Sequence, residues 1–275
     1  MENKIRQQIN KLTSKIIEAA PDVILLEFPL VNLFMIGKER AASGEWVLVD
    51  TGTENSAEAI FSAAEKRFGK NSIPGSIILT HGHFDHVGAI KDVLEQWNIP
   101  VYAHKNEIPY LTGRKEYLPP DPTVDDGLLA KLSPLFPKEP VHLGDKVKPL
   151  PDDGSIPGLP EWKWIHTPGH TPGQISLFRE RDRVLISADA VTTVKQESAL
   201  AVLTKDTELH GPPAYFTTDW HEARLSVERI RNLNPSIIIS SHGLPMKGEE
   251  MQKQLDILTH EFENVAVPDY GRYIE

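Results

Sequence analysis

The 275-residue sequence predicts an α/β protein built from two sheets with helices on their outer faces. Three observations carry that prediction. Short apolar, β-prone runs alternate with segments of helical spacing. The order of strand-rich then helical segments occurs twice along the chain. Hydrophobic residues make up 40% and charged residues 25%, an ordinary globular composition.

The elements follow in order. Ile5, Ile9, Leu12 and Ile16 recur at helical spacing and predict an amphipathic helix within an N-terminal extension, residues 1–20. Residues 23–28 and 31–36 are apolar strands separated by Pro29, and 46–50 is a third that ends in the turn Asp50-Thr51-Gly52. Ile60, Phe61, Ala64 and Phe68 share one face of a helix over 57–68. A buried strand at 76–80, a helix at 89–97 and a strand at 101–103 complete the first half.

Ten of the 22 prolines lie between Pro119 and Pro160, around a single short helical pattern at 127–132. The segment also carries Leu128, Leu129, Leu132, Leu135 and Phe136, too apolar for a solvated linker. It reads as an insertion that wraps the body as a lid. Strands resume at 162–165, 174–178 and 183–187, the last two joined as a hairpin by Arg179–Asp182. A helix over 219–232, a strand over 237–240 and a helix over 248–262 close the chain.

Composition excludes several function classes. The net charge of −10 counts against a nucleic-acid binder, which needs a basic footprint to neutralise phosphates. Cysteine is absent, so disulfides, thiolate ligands and a cysteine nucleophile are ruled out, in keeping with a cytoplasmic chain. The longest apolar stretch, 23–36, is interrupted by Glu27, Pro29 and Asn32, which argues against a membrane span. No GxGxxG or phosphate-binding loop occurs. A metal held by this chain must be held by imidazoles and carboxylates.

The sharpest motif is His81-Gly82-His83-Phe84-Asp85-His86, three histidines and an aspartate within six residues after a buried strand. Imidazole nitrogen and carboxylate oxygen are the zinc ligands open to a cysteine-free chain. A loop leaving the strand turns His81 and His83 to one ion, and Asp85 and His86 to another. Next comes His166-Thr167-Pro168-Gly169-His170-Thr171-Pro172-Gly173, whose prolines and glycines stiffen the loop that presents one histidine. Asp189 in Ser187-Ala188-Asp189-Ala190, and His242 in Ser240-Ser241-His242-Gly243, each end a predicted strand.

Together these four pieces, in this order, resemble the metallo-β-lactamase superfamily, and Asp50-Thr51-Gly52 looks like that family's early turn. The resemblance runs from about Val23 to Met246. It implies a single domain folded as a four-layer αββα sandwich with the site at one edge between the sheets. It implies one metal on His81, His83 and His170 and a second on Asp85, His86 and His242, with Asp189 bridging both. His166 departs from the ligand positions. The family's diiron flavoproteins carry Glu where this chain has His83, and its cysteine-ligand β-lactamases place that thiol where Asp189 stands. A bridging aspartate is the pattern of thioesterases resembling glyoxalase II, of lactonases and of tRNA-processing nucleases.

The implied function is a dinuclear, zinc-dependent hydrolase, with Mn, Fe or Co as alternative metals. A bridging hydroxide attacks an ester, thioester or lactone of a small molecule, and Asp85 both binds metal and orients that hydroxide. A mononuclear iron sulfur dioxygenase and a metal-dependent phosphodiesterase are the competing classes. Neither nucleic acid nor membrane is an expected partner. Lys195, His210, Tyr215 and Phe216 sit in a loop after Asp189, where loop packing is the commoner role and oxyanion assistance by Lys195 or Tyr215 the sharper one. His104, His142, His221 and His260 read as structural or surface residues. Trp46, Trp97, Trp162, Trp164 and Trp220 read as core.

Overall fold

The computed structural model describes residues 14–137, 141–204 and 207–274. Their contacts group into two compact units, residues 1–115 with 139–160 and residues 116–138 with 161–275. Each has its own hydrophobic core. The proline-rich segment is thus divided between them.

The first unit holds a mixed sheet of seven strands in sequence order. These are β1 (Lys15–Ala20), β2 (Val23–Glu27), β3 (Asn32–Ile36), β4 (Val47–Val49), β5 (Ser76–Ile78), β6 (Val101–Ala103) and β7 (Val147–Pro149). β1 to β4 form an antiparallel meander, and β4 to β7 run parallel. Parallel neighbours need crossovers, and helices supply them. α1 (Ala57–Phe68) joins β4 to β5, and α2 (Phe84–Val87) with α3 (Ile90–Gln96) joins β5 to β6. α4 (Ile108–Leu111) begins the return to β7. α1 buries Ile60, Ala64 and Phe68 of the predicted stripe together with Ala63, while Phe61 packs partly buried against the same core. Trp46 stacks on Phe68 at 4.3 Å between ring centres and meets Trp97 edge-on at 5.6 Å.

Part of the predicted N-terminal helix is a strand. Ile5, Ile9 and Leu12 lie outside the described residues, but Ile16 belongs to β1. The cause is the turn that follows. Pro21 sets φ for the first turn position, and Asp22 takes φ 63° at the second, which folds β1 back on β2 with Ala20 opposite Val23. As an edge strand, β1 leaves Ile16 exposed and carries no alternation that distinguishes it from a helix.

The second unit carries five strands of a six-stranded sheet, in the order β13–β12–β11–β10–β9. β8 (Ser155–Ile156) precedes them. β9 (Leu159–His166), β10 (Ile175–Arg179) and β11 (Val184–Ala188) are antiparallel neighbours. β12 (Ile237–Ser240) runs parallel to β11, and β13 (Met246–Lys247) antiparallel to β12. The helices are α5 (Leu128–Leu132), α6 (Ala199–Thr204), α7 (Trp220–Leu233), α8 (Gly248–His260) and α9 (Phe262–Val265). α7 is the crossover from β11 to β12. Asp219 caps it by accepting the Glu222 amide at 2.9 Å, and Asn234 ends it in the left-handed region. Trp162 and Trp220 are buried in this unit. Among the described residues no helix is long and apolar enough to cross a membrane.

Candidate metal centre

In each unit a parallel strand pair presents candidate residues at its carboxyl ends, and in the second unit the loop between antiparallel β9 and β10 adds His170. Loops there leave the sheet on one side, and this is where α/β sheets place their ligands.

In the first unit the pair is β4 and β5. Asp50 follows β4, and Thr80 and His81 follow β5. Asp50 is fully buried, with φ 61°. Its Oδ1 accepts the Thr80 amide at 2.8 Å, and its Oδ2 accepts the Thr80 hydroxyl at 2.7 Å and His86 Nδ1 at 2.8 Å. A carboxylate only accepts, so His86 carries its proton on Nδ1 and presents Nε2 elsewhere. Thr80 has spent its proton on Asp50, so its Oγ1 accepts from His81 Nδ1 at 3.2 Å. That turns the lone pair on His81 Nε2 toward His83 Nδ1, 3.1 Å away.

The motif is partly helical rather than wholly a loop. His83 stands at the N-cap position of α2, with Asp85 in the first turn and His86 in the last. The Asp50-Thr51-Gly52 turn clamps this helix. Thr51 donates its amide and hydroxyl to the His86 carbonyl at 2.7 and 3.0 Å, and the Gly88 amide donates to the Gly52 carbonyl at 2.8 Å. A side chain at Gly88 would stand 2.5 Å from the Glu54 nitrogen, so only glycine allows this approach. Asp85 Oδ2 lies 3.9 Å from His86 Nε2. From the opposite flank, the buried Glu107 carboxylate accepts the Gly82 amide at 3.1 Å.

In the second unit the pair is β11 and β12, in register with Ala188 opposite Ser240. Asp189 follows the first and His242 is two residues beyond the second. The Ala188 carbonyl accepts the Ser240 hydroxyl at 3.1 Å, and Ser240 Oγ accepts the His242 amide at 3.2 Å. Ser240 therefore shapes the turn, which suits a structural role rather than a nucleophilic one. Asp189 Oδ2 lies 3.2 Å from His242 Nε2 and 3.4 Å from His170 Nε2. All three residues are at most 4% exposed.

His170 is presented by a loop clamped to α7. Gly169 takes φ 125°, and a Cβ there would meet the Ala223 nitrogen at 2.4 Å. Its carbonyl accepts the Thr218 and Asp219 amides at 3.3 and 3.1 Å, and Ser226 Oγ donates to the Pro168 carbonyl at 2.7 Å. His166 points to the loop itself, with Nε2 donating to the Pro172 carbonyl at 3.0 Å.

The remaining candidates have other contacts. Lys195 is paired with Asp125 at 2.8 Å, a bond that holds the Lys195 ammonium above its ordinary range. Tyr215 is buried with Phe136 and Phe216 in an aromatic cluster. Burial lowers the pKa of His210, whose backbone pairs with Thr192. Lys195, His210 and the buried Glu197, whose carboxyl burial pushes up, line a cavity of about 230 Å³ that includes none of the seven candidate ligands. His104 Nδ1 accepts the Asn106 amide at 3.3 Å, and His260 Nδ1 donates to the Asp256 carbonyl at 2.7 Å, both local contacts. Sequence reasoning missed Asp50, which it read only as part of a turn, and Glu107.

The donor chemistry fits metal ions. Two imidazole nitrogens face each other at 3.1 Å in one unit, and one carboxylate oxygen faces two imidazoles in the other. Buried polar groups gathered this closely are costly without a shared cation.

Two mixed sheets with helical crossovers, and buried His and Asp donors beyond their strand ends, define an α/β protein with a candidate metal-binding site. The chain belongs to the metallo-β-lactamase superfamily, whose family profile, described as metallo-beta-lactamase superfamily, matches residues 29–242. It has that superfamily's fold. It is 46% identical over 248 residues to the probable metallo-hydrolase YflN of Bacillus subtilis (strain 168), covering 90% of this chain and 94% of that one. An archaeal metallo-beta-lactamase superfamily protein from Sulfolobus tokodaii matches with a TM-score of 0.59 at 20% identity, over 94% of this chain and 91% of that one. The protein TTHA1623 in a di-iron-bound form matches with a TM-score of 0.50 at 25% identity, over 80% of this chain and 92% of that one.

Proposed function

We propose that the chain is a dinuclear metal-dependent hydrolase acting on an ester, thioester or lactone bond of a small molecule. The observation that carries this is the placement of Asp189. Its Oδ2 faces both His170 Nε2 and His242 Nε2, the histidines that the family resemblance assigns to different ions.

In this scheme His81, His83 and His170 would hold one ion, Asp85, His86 and His242 would hold the second, and Asp189 would serve both. When bound, the two ions would supply Lewis acidity toward the substrate carbonyl and lower the pKa of water toward neutrality. The protein's own part is positional. Asp50 and Thr80 set the tautomers of His86 and His81. Asp189 would offset part of the ionic charge, and Asp85 would accept a hydrogen bond from the attacking water and so orient it. Zinc suits these nitrogen and oxygen donors, and iron, manganese or cobalt would also be accepted. In this reading the chain is a single catalytic domain, and the stretch 119–160 selects substrates. The exposed Leu128, Leu132 and Leu135 within that stretch suit an apolar, uncharged acyl group better than a polyanion.

The test is a substrate panel on metal-replete protein. Turnover of aryl esters, thioesters or lactones, abolished by chelation and restored by metal, is the expected outcome. Metal-dependent cleavage of a phosphodiester with no turnover across the carbonyl panel would replace this function with a nuclease. Iron-dependent oxygen consumption with a persulfide would replace it with a dioxygenase.

A further inference from the structure

We infer that Thr217 is a positioning residue for His170, holding the imidazole so that Nε2 faces the ion; this rests on the metal centre proposed above. Thr217 is fully buried and His170 is 2% exposed, so solvent does not compete for their contact. Thr217 Oγ1 donates its single proton to the Pro213 carbonyl at 2.8 Å. It therefore has only lone pairs to offer His170 Nδ1, 3.3 Å away. The ring must donate from Nδ1, which leaves Nε2 a lone pair, and that atom lies 3.4 Å from Asp189 Oδ2. Two acceptors that face each other across this gap call for a cation.

The backbone makes the contact rigid. Residues 214–216 form a 3-10 turn that ends at Thr217, whose amide donates to the Ala214 carbonyl at 3.3 Å. Thr218 and Asp219 then bond to the Gly169 carbonyl, next to His170. Phe216 meets the His170 ring edge-on at 6.4 Å and limits its rotation. The hydroxyl lies forty-seven positions along the chain from the ring it orients. Outer contacts of this kind fix ligand tautomer and basicity, and their loss costs about 10–100-fold in metal affinity.

The experiment compares Thr217→Val, which keeps the shape and removes the acceptor, with Thr217→Ser, which keeps both hydroxyl roles. Metal-free protein is titrated with Co²⁺ against a chromophoric chelator, and the two binding steps are read from the cobalt spectrum. Thr217→Val should weaken one step about 10–100-fold and leave the other unchanged, with Thr217→Ser binding like wild type. Wild-type affinity at both steps in Thr217→Val overturns the inference, as does an equal loss in both variants. If Thr217→Val does not fold, ¹⁵N-histidine NMR of the wild-type protein decides. A proton on His170 Nδ1 supports the inference, and a neutral ring protonated only on Nε2 overturns it. A wild-type protein that takes up no metal sinks the proposed centre itself, a result distinct from failure at Thr217.

Discussion

Asp50 Oδ2 accepts a hydrogen bond from His86 Nδ1 at 2.8 Å, with neither side chain exposed to solvent. This contact ties the end of β4 to the end of α2 and sets which nitrogen of His86 carries the lone pair. Asp50→Asn is the cleanest probe, because asparagine tolerates the φ of 61° at this position while removing the charge. The second metal should bind about 10–100-fold more weakly in this variant, measured by chelator competition. Unchanged affinity for both metals would mean that the contact only supports the fold.

The ligand scheme makes a ranked prediction. His242→Ala should deplete the second site more than the first, and His170→Ala should do the reverse. Asp189→Ala should weaken both, because it removes the shared oxygen. Metal content by mass spectrometry after limited chelation reads the order. Full metal and normal turnover in all three variants would show that the assignment is mistaken.

Gly169→Ala tests the loop that presents His170. Both the φ of 125° and the 2.4 Å approach to the Ala223 nitrogen forbid a side chain there. The strain should cost about 1–3 kcal/mol, read as a lowered thermal midpoint. A midpoint equal to that of the wild type would show that the loop relaxes away from α7.

Asp121 predicts an acid-sensitive tether. Burial pushes its carboxyl up, but hydrogen bonds from the Arg272 amide and from the Thr123 hydroxyl and amide outweigh this, so its pKa falls below the ordinary 3.8. With a depressed folded-state pKa, its contribution is complete above 3.8 and is lost as pH falls through the folded value. Asp121→Asn should cost about 1–3 kcal/mol at pH 7 and flatten the stability loss below pH ~4. Denaturant unfolding from pH 7 to 2.5 measures both. Parallel curves for the variant and the wild type would remove Asp121 from the acid response.

The sequence exposes those parts of the fold that apolar patterning controls. α1, β6 and β12 fall where their runs predict, because each packs into a core and its pattern records that burial. β1, β7 and β13 stand at sheet edges, where half-exposed residues and short length remove the pattern. The candidate ligands are legible because histidine at short spacing is rare and chemically specific. Their supports are not. The role of Asp50 depends on β4 and β5 being parallel neighbours, and that of Thr217 on a loop returning past α7's start. The partner of Lys195 is not legible either, since no local feature reveals that Asp125, seventy positions earlier, pairs with it.

The most direct measurement is the metal stoichiometry and ligation of metal-replete protein, by elemental analysis and a crystal structure with anomalous scattering. The account predicts two ions per chain about 3.5–4 Å apart, with an Asp189 carboxylate oxygen between them. One ion per chain, with Asp85 turned away from it, would contradict the account.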